Sequence, residues 1–180
     1  MAAFVQFITK YAQEYDEAFP LSIDLGPPDV PPQLPTKSLS IPGVGKVGVP
    51  DYFAGFFIDN GYIYRHMKGL GWGDTSSLHL YLGREWEERG SPEPFIIPEA
   101  SRRPYGYLIW FIDQTSPPED MQKFLTRRDK ILDQFCNMMR FTSPEAAFVR
   151  RNVKWQRFTP EYRELPPEVI LCDESFDDWT

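Results

Sequence analysis

The sequence predicts an α+β domain: an N-terminal helix, an antiparallel or mixed sheet of four to five strands, and C-terminal helices packed on one face of it. Three observations support this. Strand-like runs follow one another between residues 52 and 113 without the helices that parallel crossovers need. Clear helical spacing falls at the two ends of the chain, which segregates helices from strands. At 180 residues, 42% hydrophobic and 16% aromatic, the chain is long enough for one core without a metal or disulfide staple, so residues 1–180 are expected to form a single domain.

The elements follow in order. Phe4, Ile8, Tyr11 and Tyr15 stand at helical spacing, which predicts a helix over 3–19 that ends before Pro20. Residues 20–50 are rich in Pro and Gly and read as an extended surface segment, partly polyproline II around Pro27 to Pro35. Two β-prone runs, Tyr52 to Ile58 and Tyr62 to Met67, flank Asp59-Asn60-Gly61; Asn-Gly suits a type I′ turn, so a hairpin is expected. Ser77 to Gly83 places Leu78, Leu80 and Leu82 at period two and predicts a half-buried strand. Pro94 and Pro98 limit Glu93 to Pro98 to an edge strand, whereas Tyr105 to Asp113, apolar at nearly every step, reads as the central one. Ser116-Pro117-Pro118-Glu119 spells a capping box for a long helix running to about Arg140, with Phe124 and Phe135 on its apolar stripe. Ser143-Pro144-Glu145 starts a shorter helix and Thr159-Pro160-Glu161 about one more turn, before a last strand over Glu168 to Cys172 and an acidic, aromatic tail over 173–180.

Composition narrows the function. Nineteen Lys and Arg against twenty-six Asp and Glu give a net charge of −7, which repels nucleic acid unless the cations gather in one place. They do so in part: residues 117–163 hold ten basic and six acidic side chains. Within this stretch Arg150, Arg151, Lys154 and Arg157 interleave with Trp155 and Phe158, a pattern that could grip a phosphate chain and stack a base. Cys136 and Cys172 are too few for a disulfide framework and lack a zinc pattern, so a reduced compartment and no metal are expected. Residues 1–7 carry no basic leader, and the longest dense apolar run, Tyr107 to Ile112, is six residues where a bilayer span needs ~20. A soluble, cytoplasmic protein without a membrane partner is the expectation.

Four patterns could bear chemistry. Gly43-Val44-Gly45-Lys46-Val47-Gly48 matches the letters of a dinucleotide fingerprint, but Pro42 and Pro50 bracket it and no helix follows, so it reads as a turn and no cofactor is expected. Antiparallel pairing of the predicted strands would set His66 opposite His79 and Tyr64 opposite Tyr81, an arrangement capable of acid and base work on a phosphodiester. The two-histidine phosphoesterases place Ser or Thr two residues after each histidine, and here Lys68 and Tyr81 stand there instead. Pro32-Gln33-Leu34-Pro35-Thr36-Lys37 has the form by which a polyproline helix docks on an aromatic groove, with Pro32, Pro35 and Lys37 as contacts. Val49-Pro50-Asp51-Tyr52, Phe56-Phe57 and Asn60-Gly61 resemble the Leu-Pro-x-x-Tyr and Asn-Gly signature of the immunity-protein superfamily related to a yeast cell-wall regulator. That resemblance covers about a dozen residues, is one residue short in spacing, and implies an inhibitor protein with a helix where the turn signal predicts a hairpin.

Taken together, the residues predict a non-enzymatic, intracellular protein that binds another protein. The alternatives are a single-stranded nucleic acid binder using residues 150–158, a phosphodiesterase-like enzyme using His66 and His79, and an immunity-type inhibitor.

Overall fold

The computed structural model describes residues 11–30, 32–73, 75–158 and 165–173. The sheet is built on its two most apolar segments. β4 (Tyr52–Ile58) and β6 (Gly106–Asp113) pair antiparallel in the middle, because strands that are apolar at nearly every step can be satisfied only where both faces are covered. β5 (Glu99–Arg103) pairs with the outer side of β6, while β7 (Lys154–Arg157) and then β1 (Ser22–Ile23) extend the sheet beyond β4, giving the order β1-β7-β4-β6-β5. These pairings are antiparallel; β8 (Ile170–Leu171) joins β4 in parallel at Phe57 and Ile58. Gly55 permits the close strand approach at the β4–β6 bulge, since a Cβ there would sit 2.1 Å from the Ile109 carbonyl oxygen.

Among the described residues, five α-helices accompany the sheet. α1, described over 11–18, leads to Phe19; α2 (Asn60–Gly69) and α3 (Leu78–Glu88) lie between β4 and β5; α4 (Pro118–Met138) and α5 (Ser143–Asn152) follow β6. The buried side chains of α2 to α5 join one cluster with Tyr52, Ala54, Phe56 and Ile58, which alternate onto a single face of β4. Phe135 is the hub: fully buried, it meets Phe111 at 5.3 Å, Phe56 at 5.9 Å and Phe141 at 6.1 Å between ring centroids. The other sheet face carries Phe53 against Trp110 at 5.0 Å, and the Arg103 guanidinium 4.1 Å from the Phe158 ring centroid.

Several expectations hold. Tyr105 to Asp113 contains the internal strand β6, the long helix ends at Met138, and the Ser143 helix is closed by a capping box between Thr142 and Glu145. The last strand is present but shorter, as Ile170–Leu171. Thr159-Pro160-Glu161 and residues 174–180 lie outside the described residues, as do residues 3–10 of the expected first helix.

Others are overturned. Residues 52–67 are not a hairpin: Asp59 is an N-cap whose carboxylate accepts from the Gly61 and Tyr62 amides at 2.8 and 2.9 Å, so the turn-like residues open α2, the helix that the resemblance implied. Ser77 to Gly83 is not a strand. Leu78, Leu82 and Trp86 recur every four residues and are buried, whereas Leu80, which a strand would have buried with them, is 64% exposed. With both strands gone, the pairing of His66 with His79 and of Tyr64 with Tyr81 goes too. Glu93 to Pro98 is a turn and irregular chain, and the edge strand starts at Glu99. Ser116 does not cap α4; its Oγ accepts from the Asp113 amide at 3.0 Å, and Pro117 takes the cap position. Within 20–50, β2 (Leu39–Ile41) and β3 (Gly45–Val47) form a hairpin through the fingerprint-like glycines, of which Gly43 and Gly45 have φ of 80° and 105°.

Candidate functional site

The residues singled out from sequence are dispersed. His66, half-buried on α2, is stacked on Tyr62 with centroids 5.8 Å apart, and its Nε2–H donates to the Met139 carbonyl at 2.6 Å. Burial holds its pKa below the ordinary value, against the opposing effect of that hydrogen bond. His79 is exposed on the first turn of α3 and lines a different cavity. Tyr64 points outward at 52% exposure, and Tyr81 stacks on Trp72 at 5.6 Å. These four residues do not form one constellation.

The basic segment is divided by its own secondary structure. β7 alternates, so Trp155 is buried in the core. Arg157, 2% exposed, ties α1 to the sheet through Asp16 at 2.8 Å and the Phe19 carbonyl, under the Tyr15 ring at 4.7 Å. Arg150 pairs with Asp133 at 2.5 Å and Lys154 with Asp24 at 3.0 Å, while Arg151 is exposed at the end of α5. Cys136 is buried, and burial pushes its thiol up to about 11, which suits a core residue better than a nucleophile. The proline segment straps α4: Gln122 donates to the Pro28 carbonyl at 3.0 Å and Leu34 packs against the core. Pro32 and Pro35 are half-buried beside Leu34, and Lys37 is exposed.

The outlying feature is the segment 91–98 between α3 and β5. It starts as a tight turn, because the Glu93 amide donates to Ser91 Oγ and the Ile96 amide to the Glu93 carbonyl, each at 3.1 Å. The Glu93 carboxylate, 6% exposed, is held by Arg127 of α4, and Ile96 is inserted in the core at 1% exposure. Between these two anchors Phe95 is left 76% exposed, the most exposed large hydrophobic among the described residues. Lys123 of α4, itself bonded to Asp120 at 3.0 Å, lies 5.3 Å from the Phe95 ring centroid. Ile97 is 37% exposed beside Gly83 of α3, where a Cβ would meet its Cγ2 at 3.7 Å, and Leu80 stands one helical turn earlier. The chain thus fixes the backbone on both sides of an aromatic ring that it leaves in water.

Sequence reasoning misses this segment by treating it as an edge strand. The signal is there in Ser91-Pro92-Glu93-Pro94, turn chemistry followed at once by Phe95-Ile96-Ile97, three consecutive apolar residues that no single strand face could bury. Among the described residues, no three His, Cys, Asp or Glu side chains are grouped as metal ligands, and no helix is long and apolar enough to cross a membrane.

No protein family model matches the chain, nor does any curated protein or solved structure.

Proposed function

We propose that the protein is a non-enzymatic protein-binding module that docks through Phe95, with Ile97 and Leu80 extending the apolar surface. The observation that carries this reading is the anchored loop. An aromatic side chain exposed by 76% adds little to folding, yet the turn at Ser91, the Glu93 to Arg127 pair and the buried Ile96 all restrict where it stands. A ring positioned in advance supplies a large apolar anchor at low ordering cost, the usual property of a residue that dominates an interface.

The nucleic acid reading is weaker on the same geometry. Of its five residues, Trp155 and Arg157 are buried, and Arg150 and Lys154 already hold carboxylates. Quantitative affinity purification from the native cell, comparing the wild-type chain with Phe95→Asp and with the control Val44→Asp on the β2–β3 turn, tests the proposal. Partners lost with Phe95→Asp and kept with Val44→Asp support it; identical partner sets for all three chains refute it.

A further inference from the structure

We propose that a second site, the cavity between the start of α3 and the edge strand β5, binds a small phosphomonoester. This cavity is about 370 Å³, with the Thr75–Ser77 turn and His79 on one wall and Ser101 and Arg102 on the other. Its charge is the first argument. Among the described residues Arg102 and His79 line it and no carboxylate does, in a chain whose net charge is −7. Two further cavities differ in this respect: Asp129 lines the one beside α4, and Asp173 lines the one beside His66.

Availability is the second argument. Arg127, Arg150, Lys154 and Arg157 are each held by a carboxylate, whereas the side chains of Arg102 and His79 have no hydrogen-bond or ion-pair partner among the described residues. Preorganisation is the third. Tyr107, 6% exposed, donates its hydroxyl to the Thr75 carbonyl at 3.0 Å, and Leu78, 1% exposed, fixes the next residues in the core, so the turn is pinned to the sheet beside Arg102.

A phosphomonoester matches this set. It offers three acceptor oxygens and up to two negative charges to a forked guanidinium, an imidazole N–H and hydroxyls. A cavity near the lower end of the ~300–1,000 Å³ range of ligand sites leaves space for a small organic body beyond the phosphate. The site is separate from the Phe95 surface and does not depend on the protein-binding reading.

Titration of the 15N-labelled protein with inorganic phosphate and glycerol phosphate, with acetate and sulfate at matched ionic strength, tests the assignment. We expect saturable amide shifts at Thr75, Ser76, His79, Ser101 and Arg102, at least tenfold tighter for glycerol phosphate than for acetate or sulfate. Arg102→Ala should weaken binding at least tenfold, about 1.4 kcal/mol, without moving the melting temperature, because Arg102 is exposed and unpaired. His79→Ala provides an independent second loss. Non-saturating shifts, shifts spread over the other basic side chains, equal affinity for acetate or sulfate, or unchanged binding by Arg102→Ala would overturn the proposal.

Discussion

Replacing Phe135 by Ala should remove the most connected ring of the core. The side chain is 0% exposed and meets Phe56, Phe111 and Phe141 within 6.1 Å between centroids, so it bridges β4, β6, α4 and the turn after α4. Burial and cavity terms for Phe→Ala amount to ~3–5 kcal/mol. Three ring contacts place this site in the upper part of that range, since an edge-to-face pair contributes ~0.5–1.5 kcal/mol beyond area alone. A loss of ~4–5 kcal/mol corresponds to roughly 8–20 °C in melting temperature for a chain of this length. Phe95→Ala is the internal control: the same atoms are removed from a side chain 76% exposed, which leaves no cavity, so the loss should be a small fraction of that at Phe135. Urea unfolding followed by tryptophan fluorescence measures both. A Phe135→Ala loss below ~1 kcal/mol, or a Phe95→Ala loss as large as that of Phe135→Ala, would refute the packing described.

Three further outcomes are expected. Gly55→Ala should cost ~3 kcal/mol or yield insoluble protein, because the added methyl meets the backbone of β6 at 2.1 Å and backbone cannot step aside; a stable, soluble variant contradicts the β4–β6 register. Asp16→Ala strands the buried Arg157 cation; the cost is about 2–3 kcal/mol, below the ~3–5 of a fully buried pair, because Asp16 is one-third exposed and the Phe19 carbonyl remains, and a loss under ~0.5 by thermal melting would show that α1 is not held there. His66 has a folded-state pKa below its ordinary 6.5, so the fold favours the neutral ring, and its contribution is present above ~6.5 and lost as pH falls through the lowered value. The stability difference between wild type and His66→Gln should therefore shrink from pH 7 to pH 5; a difference that is constant or grows contradicts the burial of that ring.

How far the fold could be read from sequence depended on whether one periodicity stood alone. Tyr105 to Asp113 and the stripe through Phe124 and Phe135 were legible because neither admits a second pattern of burial. Leu78, Leu80 and Leu82 fit period two, while Leu78, Leu82 and Trp86 fit a period of four, and tertiary burial chose the latter. Asp59-Asn60-Gly61 was ambiguous for a different reason: the residues that favour a hairpin turn also cap helices, and only the side chain's partners, the Gly61 and Tyr62 amides, separate the two. The misreading of those two segments produced the imagined histidine pair. Buried cations were equally opaque, since Arg157 is indistinguishable in sequence from its exposed neighbour Arg151 until strand alternation turns it toward Asp16. The Phe95 segment was hidden because its two prolines argued about strand position, whereas its function in the fold depends on Glu93 and Ile96 reaching α4 and the core.

The most direct test of protein binding through this loop is a photo-cross-linking phenylalanine analogue placed at position 95, expressed in the native cell and compared with the same analogue at position 44, where Val44 is 49% exposed on a turn remote in sequence from the loop. Binding through Phe95 predicts a discrete protein adduct from position 95 that disappears when Ile97→Glu or Leu80→Glu is added, and none of that mass from position 44. The same background from both positions, or an adduct at 95 indifferent to both glutamates, would contradict it.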